Sequence, residues 1–260
     1  MTEKNRISDP EKKELLSLLL ELGEEMYACG AEVNRVEDTL SRIGTAYGAA
    51  QMNVFAITST IVVTMMFGDE AITQSRRILP GGQTDFKKLE DYNALSRRCC
   101  RELPSTAEFR KELEKIRGIV PKPKKAAFGN FLASGSFAVF FGGTPADGLV
   151  AGLLGLLIYY LSGIIVLKKP NRIITNFLMS LITGMFAIVA GFAFPSLQID
   201  KILIGDIMLL IPGIAMTNAI HDMMEGDTMS GILRLTETIL WAAAIAFGFI
   251  IPLTIRGGIQ

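Results

Sequence analysis

The chain has 260 residues, half of them hydrophobic, with 26 basic and 26 acidic side chains and a formal net charge of zero. With charge balanced, no nucleic-acid partner is expected. One histidine and three cysteines without a CxxC pair point to no zinc, haem or other cofactor site. Of the 52 charged residues, 39 lie at or before Lys125 and 13 after it. A charged first half and a nearly uncharged, glycine-rich second half need two different solvents. The expected fold class is a membrane protein: an N-terminal cytosolic α/β domain, residues 1–120, followed by a five-span α-helical membrane domain, residues 121–260.

No secretory signal is read at the start, because apolar Leu15–Leu20 is short and flanked by EKKE and ELGEE. The first half is therefore expected in the cytosol. Cys29, Cys99 and the vicinal Cys100 fit thiols rather than a structural disulfide.

Asp9-Pro10-Glu11 reads as a helix start with Asp9 as cap, followed by Leu15, Leu19, Leu22, Met26 and Cys29 on one stripe. Gly30 ends that helix. A second helix carries Val33, Val36, Leu40, Ile43 and Tyr47 on one face and closes at Gly48. The polar run from Glu32 to Arg42 reads as a solvated helix face. Residues 51–57 and 60–67 change to strand composition, Gly68-Asp69-Glu70 makes a turn, and AITQSRRIL supplies a third strand. Gly81-Gly82 breaks the chain. Asp85 then caps a helix bearing Phe86, Leu89, Leu95 and Cys99, and Ser105-x-x-Glu108 is the capping box of a last one. Nothing here forms a nucleophile elbow or phosphate loop, so no enzyme activity is expected.

Pro121-Lys122-Pro123-Lys124-Lys125 is a stiff basic linker into the bilayer. Spans are expected at about 126–143, 147–167, 173–194, 202–220 and 232–253, the fourth being either continuous or re-entrant. The basic residues of 117–125 and 168–172 put those loops in the cytosol, so the C-terminus faces out of the cell (inner) membrane.

Polar residues at bilayer depth are costly and mark candidate pathways. Asp147 is either a helix N-cap or a lining residue. Asp206 reads as an interfacial cap slightly more than as an ion relay. Pro212-Gly213 breaks the fourth span and frees backbone groups, as at many transporter sites. Asn218, Asp222 and Glu225 share a helix face, with Glu225 and Asp227 read as loop acids in water. Arg234 and Glu237, three apart, can pair along one face. His221 alone is weak evidence for proton relay. The candidate pathway is Asp147, Pro212, Gly213, Asn218, Asp222, Arg234 and Glu237.

GAEVNRVEDTLSRIGTAYGA at 30–49, FGGTPADGLVAGLLG at 141–155 and IPGIAMTNAIHDMMEGDTMSGILRLTETILWAAAIAFG at 211–248 resemble the threonine/serine exporter (ThrE-like) family. Full-length members of that family have a soluble region and ten spans in two five-span halves. The chain is thus similar to the large subunit of split exporters that work with a separate small membrane subunit. The resemblance implies proton-driven export of a small polar metabolite, either a serine/threonine-type amino acid or a dicarboxylate such as succinate. It also implies that His221 stands where many relatives carry arginine. Membrane lipid, the small subunit and further copies of the chain are the expected partners. The competing readings are a membrane-anchored enzyme or sensor acting through its cytosolic half, and a passive channel.

Overall fold

The computed structural model describes residues 8–78, 84–120, 122–166 and 171–259. The expected Gly81-Gly82 break and the Lys168/Lys169 loop lie outside them. The elements run α1 (Asp9–Ala28), α2 (Val33–Ala46), β1 (Gln51–Ile57), β2 (Thr60–Phe67), β3 (Glu70–Arg77), α3 (Phe86–Glu102) and α4 (Thr106–Arg117). Then come α5 (Pro123–Phe140), α6 (Pro145–Val166), α7 (Arg172–Ala193), α8 (Ile199–Leu210), α9 (Gly213–Met224) and α10 (Thr228–Ile259). They form two compact units, one of Met1–Ile119 with Ala215–Leu235 and one of Val120–Ile214 with Thr236–Gln260. Segment 215–235, assigned by sequence to the membrane domain, thus clusters with the N-terminal residues.

In the first unit, α1 starts one residue earlier than its cap was expected. Ser8 is the N-cap, and its amide and hydroxyl both donate to the Glu11 carboxylate, at 2.9 and 2.7 Å. Asp9 instead holds Lys12 at 2.7 Å. The α1 core is wider than one stripe, because Leu16, Leu18 and Leu20 are buried along with Leu15, Leu19 and Leu22. The cause is its surroundings: α2, α3, α4, β2 and β3 all pack on it. Each fully buried leucine contributes roughly 1.5–3 kcal/mol.

The sheet is antiparallel in the order β1-β2-β3, with Val54 opposite Val63 and Thr64 opposite Thr73. Alternation turns Ile61, Val63 and Met65 into the core. Asp85 caps α3 by accepting from the Lys88 amide at 3.0 Å, and Ser105 and Glu108 close the capping box of α4. Glu37 on α2 accepts from the Ala56 amide at 2.6 Å, tying helix to sheet. Burial raises its carboxyl above the ordinary range; the Ala56 amide opposes that rise and Asp227 adds to it.

The second unit turns large apolar side chains outward, among them Phe128, Leu153, Ile164, Phe186 and Phe247. Its interior is built from small residues and branched aliphatics such as Ala138, Ala151, Ala187, Ile202 and Ile245. A soluble surface would not carry so much exposed apolar area. Among the described residues, three helices are long and apolar enough to cross a membrane: Pro145–Ile165, Arg172–Ala193 and Thr228–Gly257. The broken pair Ile199–Leu210 and Gly213–Met224 counts as a fourth if it is one span. Helix α5, where the first span was expected, is not among them, because Lys124, Lys125 and Asn130 sit in its first turns. The protein is membrane-embedded.

Candidate functional site

The α1–α2 turn is the foundation of the site in the first unit. Gly30 has φ +96°, which favours glycine, and this reverses the chain so that the carbonyls of Gly30 and Ala31 are available. The Asn218 amide of α9 donates to the Gly30 carbonyl at 2.9 Å. One turn later on α9, Asp222 is fully buried and accepts from the Val33 amide at 3.3 Å. Arg234, on the first turns of α10, sets its Nη1 3.0 Å from the Asp222 carboxylate. Its guanidinium also reaches the Ala31 carbonyl at 3.5 Å and lies 4.8 Å from the Tyr27 ring centre.

Two opposite charges are thus taken out of water together. Apart, each would carry a desolvation penalty of several kcal/mol. Together they form a neutral unit held further by the Val33 amide on the acid and by the Ala31 carbonyl and Tyr27 ring on the base.

The sequence pairing of Arg234 with Glu237 is not the one formed. Arg234 faces Asp222 across the α9–α10 turn, while Glu237 is exposed and interacts electrostatically with Arg172. Gly226, with φ +103°, folds the turn back and makes that pairing possible. Beside the pair, His221 Nδ1 lies 3.2 Å from Glu32 and its Nε2 lies 3.8 Å from Glu225. Asn34 donates to the other Glu225 oxygen at 3.0 Å. Glu32, Asn34 and Glu37 therefore have specific partners, and only part of the Glu32–Arg42 run is a solvated face, typified by the exposed Asp38–Arg42 pair. Glu225, read as a loop acid in water, is likewise engaged.

In the second unit, Asp147 is neither an N-cap nor a free lining group. Thr144 caps α6, and Asp147 accepts from the Thr144 amide and hydroxyl at 2.7 Å each. Its other oxygen accepts from the amide of Gln198, the residue before α8, at 2.8 Å. With no exposure, this carboxylate ties two helix starts together.

Asp206, read from the sequence as an interfacial cap slightly more than as an ion relay, is the other fully buried acid among the described residues of this unit. It lies about two turns into α8, so it is not that helix's cap. The Ser134 hydroxyl stands 2.7 Å from its Oδ1 and also 2.9 Å from the Ala151 carbonyl, while Oδ2 has no hydrogen-bond partner among the described residues. A Cβ on Gly205 would meet the Ser134 carbonyl at 2.5 Å, so glycine is what lets α8 come this close to α5. A buried polar residue surrounded by small ones, at Ser134, Gly205 and Asp206, was the signal available in sequence. Pro212-Gly213 separates α8 from α9, as expected of a break, and belongs to this unit together with Glu237. Asn218, Asp222 and Arg234 belong to the first.

No curated protein and no solved structure matches the chain. A family model does: ThrE, described as "Putative threonine/serine exporter", matches residues 17–256, which include both the Gly30–Asn34 turn and the Asp222/Arg234 helices that it holds. The chain belongs to the threonine/serine exporter (ThrE) family, a family of membrane transporters.

Proposed function

We propose that this chain is the large subunit of a two-subunit secondary exporter for a small polar metabolite, a serine/threonine-type amino acid or a dicarboxylate such as succinate. The buried Asp222–Arg234 pair is the observation that carries the reading. A charge pair with an adjacent amide, Asn218, offers both signs needed by a zwitterion or an acid, and can exchange its internal partner for a substrate's. Residues 1–120 form the cytosolic domain, five spans follow in 121–260 with α5 as the first, and the C-terminus faces outward from the inner membrane. In that orientation the Asp222/Arg234 group is the inner mouth of the pathway. The Pro212-Gly213 break and Glu237 line its membrane part, and the small subunit supplies the other half. The proton gradient drives export.

The test is gradient-driven flux of serine, threonine and succinate in vesicles carrying both subunits. Uphill transport is expected for one of them, which a passive channel cannot produce. Asp222→Asn and Glu237→Gln should each reduce it at least tenfold, and normal flux in both variants would refute the site.

A further inference from the structure

His221, Glu32 and Glu225 offer one ligand atom each within 4.8 Å of one another. Glu32 is the N-cap of α2, whereas His221 and Glu225 lie one turn apart at the end of α9, so the sequence folds two distant segments onto one point. The two glutamates are like charges brought together, which favours a cation between them.

The imidazole supplies the second observation. Its Nδ1 is shut off from water and makes no hydrogen bond among the described residues, although a Glu32 oxygen stands only 3.2 Å away. The distance suits a hydrogen bond and the direction does not. It also suits two ligands of one ion, because atoms about 2.1 Å from a shared metal stand roughly 3.0–3.5 Å apart. Glu225 is oriented by the Asn34 amide on its second oxygen, the kind of outer contact that holds a ligating carboxylate in place.

We propose that Glu32, His221 and Glu225 form a binding site for a divalent transition cation of the zinc or manganese class. One imidazole with two carboxylates suits such ions better than it suits calcium, which takes oxygen ligands alone. Three protein ligands leave positions for water. The ion would fasten the start of α2 to the end of α9, next to the Asp222–Arg234 pair but without using it. The site stands or falls independently of the transport reading.

Tag-free full-length protein in nanodiscs, titrated calorimetrically with zinc chloride and with manganese chloride, tests the proposal. One ion per chain is expected for at least one metal, with affinity falling tenfold or more in His221→Ala and in Glu225→Gln. Glu225 is exposed, so its variant keeps the test usable if the histidine variant fails to fold. Asp69→Asn, an exposed acid on the β2–β3 turn, should bind as the parent does. Ion binding should also raise the melting temperature of the parent and not of His221→Ala. Absence of binding at micromolar metal, or equal binding in the Glu225 variant, overturns the site.

Discussion

Removing one charge of the Asp222–Arg234 pair should cost at least as much as removing both. Asp222→Asn keeps the shape and a carbonyl for the Val33 amide, but leaves a buried guanidinium facing an amide. What remains to that guanidinium is the Ala31 carbonyl at 3.5 Å and the Tyr27 face at 4.8 Å. A cation over an aromatic ring contributes about 0.5–1 kcal/mol near a surface and more when desolvated. Breaking a buried pair costs about 3–5 kcal/mol, so the low end, about 3 kcal/mol, is expected here. Arg234→Met leaves Asp222, which has no exposure, with the Val33 amide alone, and should cost at least as much. The double variant has no uncompensated charge, and the pair should couple by about 3 kcal/mol or more. Thermal unfolding of the full chain in detergent reads this: about 6–12 °C lost in each single variant, at 2–4 °C per kcal/mol. The double variant should sit no lower than either. Losses that simply add would refute the argument that the two charges are held as one neutral unit.

Ser134→Ala removes the one hydrogen-bond donor to the Asp206 side chain among the described residues and should cost about 1–3 kcal/mol in the same melt, whereas an unchanged melt would show that the bond contributes nothing. Cys29 and Cys99 are buried, with thiols pushed up to about 11 and about 12 by burial first. Half-exposed Cys100 should therefore take up maleimide at pH 7.5 well ahead of both, and mass spectrometry of the labelled peptides checks the order. Glu37 has a raised carboxyl, so the folded state holds its proton more tightly than the unfolded one. That contribution is present at low pH and lost as pH rises from the unfolded through the folded pKa. Measured against Glu37→Gln, the parent should be relatively more stable at pH 4.5 than at pH 7.5; a difference independent of pH removes the burial argument.

Local signals in the sequence were reliable where the interaction itself is local. The Asp85 cap, the Ser105/Glu108 box and the strand pairs at 51–67 follow from spacing and residue type. The Asp9 cap failed by one residue because Ser8 offers an equally good cap with Glu11 at the required third position. Non-local contacts were the ones missed. Nothing in the spacing of Glu32, Asn34 and Glu37 says that two of them meet α9 and one meets a strand. Arg234 was given its neighbour at three residues, since a helix surface makes that pair automatic, while the true partner lies across a turn set by Gly226. Asp206 was misplaced because α8 starts at Ile199, three residues before the apolar run suggested, which moves the acid about two turns into the helix and inward.

Three fully buried acids remain, and their partners rank them. Asp147 accepts three hydrogen bonds and is saturated by backbone amides and a hydroxyl. Asp222 faces a fixed cation. Asp206 has one donor on one oxygen and, among the described residues, none on its buried second oxygen. A carboxylate already saturated with donors has little use for a proton, whereas an unserved buried oxygen can be satisfied by one. On the proposed proton-coupled mechanism, Asp206 is the acid expected to carry the proton. Asp206→Asn should keep substrate exchange across vesicles while losing at least tenfold of the flux driven by an imposed pH gradient. Asp147→Asn should instead lower yield and melting temperature, with the pH response of whatever folds unchanged. Equal loss of exchange and of gradient-driven flux in Asp206→Asn would reduce Asp206 to a hydrogen-bonded strut between α5 and α8.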